Sequence, residues 1–320
     1  MAKRTDYDLI IIGAGPAGMT AGVYAARKQL DTLILTGDVG GQTTWSAGIE
    51  NYLGFRVITG IELVSKFEEH LRSFPIEMVF ARVARLATVE NGFEVETEAG
   101  DTIRSRAVIV ATGKSPRMLD VPGEREYTGK GVAYCATCDG PLFSGANVAV
   151  VGGGNSGLDA VVQLMKICPR VYLVEVDEQL RADEIMREQA RRAPNVEVLT
   201  RTAVREIHGE AFVNSITVED LATGRTRRLE VSGVFIEVGL VPNSAIVKGL
   251  IPLNDFGEIP VDCASRTSLP GMYAAGDVTA VPEKQIIVAA GDGAKAALGA
   301  YSYLVRMPSV QDWSKKDSDE

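Results

Sequence analysis

The chain has 320 residues, 46% of them hydrophobic, with 33 Lys and Arg against 42 Asp and Glu, a formal charge of −9. That length suffices for two domains with separate cores, and the composition is neither disordered nor collagenous. An acidic balance excludes phosphate-backbone binding as the main activity, so no nucleic-acid partner is expected.

The first expected strand, Leu9-Ile10-Ile11-Ile12, runs into Gly13-Ala14-Gly15-Pro16-Ala17-Gly18 and an apolar-periodic helix through Tyr24, Ala25 and Ala26. A strand follows over Thr32 to Leu35. Later a hairpin reads Phe93 to Thr97, a turn at Ala99-Gly100-Asp101, then Thr102 to Arg106, before a buried strand Ala107 to Val110 that ends at Ala111-Thr112-Gly113. The same order then repeats. It runs Val148 to Val151, Gly152-Gly153-Gly154-Asn155-Ser156-Gly157, a helix to about Ile167, a strand Val171 to Val174, a hairpin turning near Thr223-Gly224, and a buried strand Val234 to Val238 ending at Gly239. Gly152 follows Gly13 by 139 residues, a spacing that suits duplicated nucleotide-binding domains. The rest is too short for a third copy and reads as completing the first domain: a strand-like Gly271 to Ala275, then Gly276-Asp277, then a helical pattern from Ile286 to Leu304. Met307 to Glu320 is polar and reads as a frayed tail.

Two uncharged runs, Leu9 to Ala26 and Gly140 to Leu158, switch from strand to helix pattern midway and are studded with glycine, so no membrane span is expected. The residues before Asp8 do not form a signal peptide, and a cytoplasmic location is the expectation.

Each Gly-x-Gly-x-x-Gly lies between an expected strand and an expected helix, the context in which this pattern binds a dinucleotide rather than forming a merely structural turn. The first glycine makes the tight turn, the second lets the backbone approach a pyrophosphate, and the third lets helix and strand pack closely. In the second copy Glu175, 18 residues past Gly157, stands where an acid accepts bonds from ribose hydroxyls. With Asp177 and Glu178 beside it a 2′-phosphate would be repelled, and Arg181 is the nearest base. A solvated strand end is the plainer alternative. In the first copy the region is Leu35-Thr36-Gly37-Asp38, with the acid displaced.

Cys135-Ala136-Thr137-Cys138-Asp139-Gly140 reads as a redox dithiol at a turn or helix start. Half a zinc site is the competing reading, but Cys168, Cys263, His70 and His208 are isolated, so no metal is expected. Cys168 and Cys263 lie in apolar surroundings and read as core packing. Asp139 is a candidate proton donor to a leaving thiolate, although a turn-capping Asp looks the same.

Together these motifs resemble the low-molecular-weight thioredoxin reductase family, from Tyr7 to about Arg306. The resemblance rests on Gly13 to Gly18, Gly40-Gly41-Gln42, Glu50-Asn51, Ala111-Thr112-Gly113, Cys135 to Gly140, the second fingerprint, and Gly276-Asp277 followed by Lys284-Gln285-Ile286. Within it, Cys138-Asp139-Gly140-Pro141-Leu142-Phe143 with Gly152 to Gly157 most resembles the flavoprotein half of the alkyl hydroperoxide reductase F subunit. The resemblance implies an α/β fold of two doubly wound Rossmann-like nucleotide-binding domains, the second inserted into the first. An FAD-binding domain would span 1–117 and 247–320, and an NAD-binding domain carrying the Cys pair 118–246. FAD would be held by Gly13, Gly15, Pro16, Ala17, Gly18, Gly41, Gln42, Asn51, Ala111, Thr112, Gly113, Gly276, Asp277, Gln285 and Ile286. The pyridine nucleotide would be held by Gly152, Gly154, Asn155, Ser156, Gly157, Glu175 and Gly239.

The same resemblance implies that hydride passes from the nicotinamide to FAD and onward to the Cys135/Cys138 disulfide, with a domain rotation that alternates dithiol and nicotinamide at one flavin. Cys138 would face the flavin, Cys135 would attack the partner's disulfide, and Asp139 would act as acid and base. A homodimer is the family's usual state. Two departures matter. NADPH-using members carry a basic cluster where this chain has Glu175-Val176-Asp177, so NADH is the expected reductant. The F subunit carries an additional thioredoxin-like region before the flavoprotein half, whereas this chain begins at the FAD strand, so electrons are expected to leave to a separate thioredoxin- or glutaredoxin-like protein. Open alternatives are an NADH-dependent flavin oxidase or metal or quinone reductase, a ferredoxin-dependent thioredoxin reductase, and a non-catalytic NADH-sensing protein.

Overall fold

The structure, a computed structural model, describes residues 4–46 and 48–307, so the tail expected after Met307 lies outside it. The chain divides into two units. One takes the chain up to Thr44, Ile61–Ser115 and the chain from Val241 onward; the other takes Trp45–Gly60 and Pro116–Leu240. Residues 45–60, grouped with the first domain on sequence, thus belong to the second unit.

In the first unit the run Asp6–Ala14 is the central strand of a seven-stranded sheet. Thr32–Val39 and Thr102–Val110 flank it in parallel, and Glu77–Phe80 lies beyond Thr32–Val39. Strand alternation sends Leu9, Ile11, Ala107 and Ile109 to one face and Ile10, Ile12, Val108 and Val110 to the other. Both faces are covered, which is why these strands read as unbroken apolar runs rather than as polar and apolar in turn.

Thr102–Val110 is one strand, where the sequence suggests two. Its first half, Thr102–Ser105, pairs antiparallel with Gly92–Thr97, and its second half, Val108–Val110, pairs parallel with Met272–Ala274. The polar-alternating half suits a half-exposed hairpin and the apolar half a covered sheet, so one strand carries two patterns.

On one face, the helices Pro16–Arg27 and Ile286–Leu304 approach so closely that a Cβ on Gly293 would stand 2.0 Å from the Ala17 carbonyl. The long helix is tied at its end by Arg106, which is buried. One guanidinium nitrogen donates to Asp8 at 2.9 Å and the other to the carbonyls of Leu304, the last helical residue, and Met307, just past it, at 2.9 and 3.1 Å.

The second unit holds a five-stranded parallel sheet in the order Val196–Leu199, Val171–Val174, Val148–Val151, Gly233–Ile236, Val132–Ala133. Beside it lies an antiparallel sheet of Thr202–Gly209, Val213–Asp220 and Thr226–Glu230. The helix expected to reach Ile167 stops at Leu164. Pro169 disfavours helical backbone before it, and Asn195 caps the freed carbonyls of Met165 and Cys168 at 2.9 and 2.8 Å. Among the described residues no helix is long and apolar enough to cross a membrane.

Candidate functional site

Both fingerprints are built the same way. Gly13 and Gly152 take φ of +109° and +120°, backbone that L side chains rarely adopt. A Cβ on Gly13 would stand 2.3 Å from the Ala111 carbonyl, and one on Gly152 would stand 2.4 Å from the Glu237 carbonyl. The third glycines seat the helices: a Cβ on Gly18 would lie 1.9 Å from the Gly13 carbonyl, and one on Gly157 would lie 1.8 Å from that of Gly152. The middle glycines differ in kind. At Gly15 and Gly154 nothing lies within 4 Å of the Cβ position, so each helix start presents an open flank of backbone. This is a cradle that fits a dinucleotide pyrophosphate, with N–H groups of the first helical turn facing the anion.

The residue 23 positions after the first glycine meets the turn in both units, with different chemistry. In the second unit Glu175 accepts the N–H of Gly153 through one oxygen and that of Asp177, at 2.9 Å, through the other. Its carboxylate is thereby fixed at the strand end, with lone pairs left for hydroxyls. Arg181 is ion-paired to Asp177 at 2.6 Å, and its own N–H bonds the Gly153 carbonyl, so the loop folds back on the fingerprint. Asn155 accepts the Asp183 N–H at 2.9 Å and holds the far side of that loop. In the first unit the same position is Thr36, whose hydroxyl accepts the Ala14 N–H at 3.2 Å. No carboxylate stands there, because Asp38 instead accepts the Gly41 N–H.

Of the other residues expected around FAD, the first unit contains all but Asn51. Gln42 donates to the Lys114 carbonyl at 2.7 Å. Thr112 and Gly113 are gripped by Asn243: the Thr112 hydroxyl donates to the Asn243 carbonyl at 2.7 Å, the Asn243 side chain donates back to Thr112 at 2.9 Å, and the Asn243 N–H bonds the Gly113 carbonyl. Gly276 lies against Ala17 and Ala289, Asp277 follows it, and Gln285 stands just before the helix that Ile286 opens. Gly41 and Gly113 also have open flanks. Asn51 is exposed and falls in the 45–60 segment of the second unit.

A half-buried charge cluster near Asp277 carries no sequence motif. Glu258 pairs with Lys114 at 2.6 Å and with Lys284 at 3.3 Å, and Lys284 also donates to the Thr279 carbonyl at 2.6 Å. Burial, with Lys114 close by, holds the Lys284 ammonium below its usual range. Burial likewise raises the Asp277 carboxyl, against the pull of Lys284 and Lys114.

In the second unit Cys135 and Cys138 form a disulfide. Cys135 caps the short helix Ala136–Asp139, and its Sγ accepts the Cys138 N–H at 3.2 Å. A thiolate released at Cys135 would already face a donor, whereas Cys138 supplies it. Asp139 is buried directly after the pair, and its N–H bonds the Cys135 carbonyl at 3.0 Å. Before the pair, Tyr134 donates to the fully buried Glu124 at 3.1 Å and packs on Trp45 with ring centroids 5.9 Å apart. Burial pushes the Tyr134 phenol up to about 12, so it stays neutral. Cys168 is buried, as expected. Cys263 is exposed, contrary to the core role expected for it: Asp262 accepts the N–H groups of Ala264 and Arg266, both at 2.9 Å, and bends the chain into a surface turn.

Two dinucleotide cradles and a Cys-x-x-Cys disulfide define an oxidoreductase of the nucleotide-linked disulfide type. The chain belongs to the pyridine nucleotide-disulphide oxidoreductase family, whose pattern it matches over residues 7–293. It is 41% identical over 305 residues to NADH dehydrogenase of Bacillus subtilis, across 95% of this chain and 60% of that protein. It is 40% identical over 311 residues to the F subunit of alkyl hydroperoxide reductase from Pseudomonas aeruginosa, across 96% of this chain and 60% of that one. The chain thus spans about 60% of the length of these curated relatives. The crystal structure of thioredoxin reductase from Streptococcus pyogenes superposes with a TM-score of 0.90 at 39% identity, covering 95% of this chain and 99% of that one. The resemblance to low-molecular-weight thioredoxin reductases, with two Rossmann-like domains, therefore holds, and family membership implies FAD and a pyridine nucleotide.

The glycine geometry separates packing from binding. Gly15→Ala, with φ of −76° and open space, should leave the thermal midpoint of the FAD-free protein within about 2 °C and weaken FAD binding at least about tenfold. Gly18→Ala should lower the midpoint itself, by about 5 °C or more, because helix and turn must part. Calorimetry and flavin titration on both variants check this; equal flavin affinity in Gly15→Ala contradicts it.

Proposed function

We propose that this chain is an NADH-dependent flavoprotein disulfide reductase that passes electrons through Cys135 and Cys138 to a separate thioredoxin- or glutaredoxin-like protein. The observation that carries the reading is the place of the disulfide. Val132–Ala133, which leads to it, is separated from the fingerprint strand Val148–Val151 by the single strand Gly233–Ile236, so disulfide and nucleotide cradle share the carboxyl end of one parallel sheet.

The residues divide the work as follows. The first fingerprint, with Gln42, Thr112, Gly113 and Asp277, holds FAD, and bound FAD would supply a two-electron relay between nicotinamide and disulfide. Gly154, Asn155, Ser156, Gly157 and Gly239 hold NADH, with Glu175 on the adenine ribose. Cys135 is the attacking sulfur, since the Cys138 N–H stabilises its thiolate. Cys138 takes electrons from the flavin side, and Asp139 moves the proton to and from its sulfur. The relatives support the partner: one is named as a hydroperoxide reductase subunit and one structure as a thioredoxin reductase. A cytoplasmic homodimer completes the reading.

A Cys138→Ser variant should trap a mixed disulfide between Cys135 and a thioredoxin-like protein, seen as a reducible band of summed mass. Equal trapping by Cys135→Ser would reverse the roles.

The reductant follows from Glu175. A carboxylate already oriented by two N–H groups can accept the ribose hydroxyls, a charge-assisted contact of about 1.5 to 3 kcal/mol, and it repels a 2′-phosphate. A differential of ~1.4 kcal/mol is tenfold, so kcat/KM should favour NADH over NADPH by at least about tenfold. Glu175→Gln keeps the acceptor for Gly153 and should narrow that gap; wild-type enzyme using both reductants equally would falsify the assignment.

A further inference from the structure

The strand Gly233–Ile236 ends at Glu237, a residue that touches both motifs of the second unit. Its N–H donates to the Val151 carbonyl at 2.8 Å, and its own carbonyl closes against Gly152. Its side chain turns the other way. Oε1 accepts the Ala136 N–H at 3.3 Å, on the peptide that joins Ala136 to Cys135.

The surroundings make this an unusual carboxyl. Burial pushes it up to about 7, against the pull of the Ala136 N–H, and the Asp159 carboxylate on the helix Asn155–Leu164 pushes it further. Around the Cys pair stand Asp139, which follows Cys138, and Tyr134, which precedes Cys135 and is neutral. A thiolate at Cys135 would place a negative charge on the residue whose following peptide N–H Glu237 already holds. Anions held close together repel, and groups that interact strongly titrate as a coupled pair.

We propose that Glu237 and Cys135 share one proton in the reduced protein, so that this carboxyl, as a positioning residue, governs when the Cys135 sulfur is a thiolate. Reduction supplies two electrons that break the S–S bond. The Cys138 sulfur takes one proton, passed from solvent by Asp139, and becomes a thiol. A second proton from solvent goes either to Cys135 or to Glu237, and when it rests on Glu237 the Cys135 sulfur is free to attack. The proposal rests on the Cys pair being the working dithiol, and it adds a residue whose side chain reaches the pair through the Ala136 N–H.

The test uses the FAD-loaded Cys138→Ser/Cys263→Ser protein, in which Cys135 is the accessible thiol because Cys168 is buried. Iodoacetamide alkylation of Cys135, followed against pH, should show two inflections. Adding Glu237→Gln should leave one, displaced downward by about one unit, with alkylation about tenfold faster near neutral pH. Superimposable profiles would overturn the proposal. In the protein with both cysteines, Glu237→Gln should shift the equilibrium with dithiothreitol about tenfold toward the dithiol at pH 8, about 30 mV for a two-electron couple. If the Gln variant does not fold, the infrared difference spectrum of the wild type on reduction by dithiothreitol must show a carboxyl gaining a proton, and its absence rejects the idea. A pair that dithiothreitol cannot cycle at all sinks the dithiol reading; a pair that cycles identically with and without Glu237 sinks only the role given to Glu237.

Discussion

One close contact organises each unit: a helix seated on the turn that precedes it, with no room for a methyl group between them. The Cβ positions of Gly18 and Gly157 fall under 2 Å from the carbonyls of Gly13 and Gly152. Only glycine permits that approach, and the approach sets everything downstream. It draws each helix start to the carboxyl end of its central strand and leaves the flank of Gly15 or Gly154 open. A bulkier residue at the third position would push the helix away and dissolve the cradle even with the first two glycines intact.

The duplication puts two different chemistries at one topological position. In both units the fifth parallel strand lies beyond the strand that returns to the centre: Met272–Ala274 beside Thr102–Val110, and Val132–Ala133 beside Gly233–Ile236. In the first unit that fifth strand leads to Gly276 and the half-buried Asp277, in the second to Cys135 and the disulfide. The acid position after the second strand has diverged too, to Thr36 in one unit and Glu175 in the other. A repeated backbone thus supplies two anion cradles, while single side chains at equivalent strand ends decide what each does.

What could be read from sequence followed local signals. Glycine punctuation and apolar period gave Val148–Val151, Val171–Val174 and Ile286–Leu304 with the bounds the structure shows. The fused strand Thr102–Val110 was not legible, since its change of pattern reflects two partners rather than a break. The exposure of Cys263 was not legible, because an apolar neighbourhood in sequence says nothing of a turn closed by Asp262. Glu237 and the Lys114–Glu258–Lys284 cluster escaped for a shared reason. Glu237 meets Ala136 across 101 residues and Lys114 meets Glu258 across 144, so no window of sequence contains either contact.

The central claim is that the disulfide is an electron store in series with the nucleotide sites. Its most direct measurement is anaerobic reduction of the FAD-loaded protein by NADH, regenerated enzymatically, with thiols counted under denaturing conditions. The account predicts twice the reducing equivalents that the flavin alone accepts, and two new thiols that peptide mapping assigns to Cys135 and Cys138. Uptake that stops at the flavin, with the disulfide intact, would contradict it.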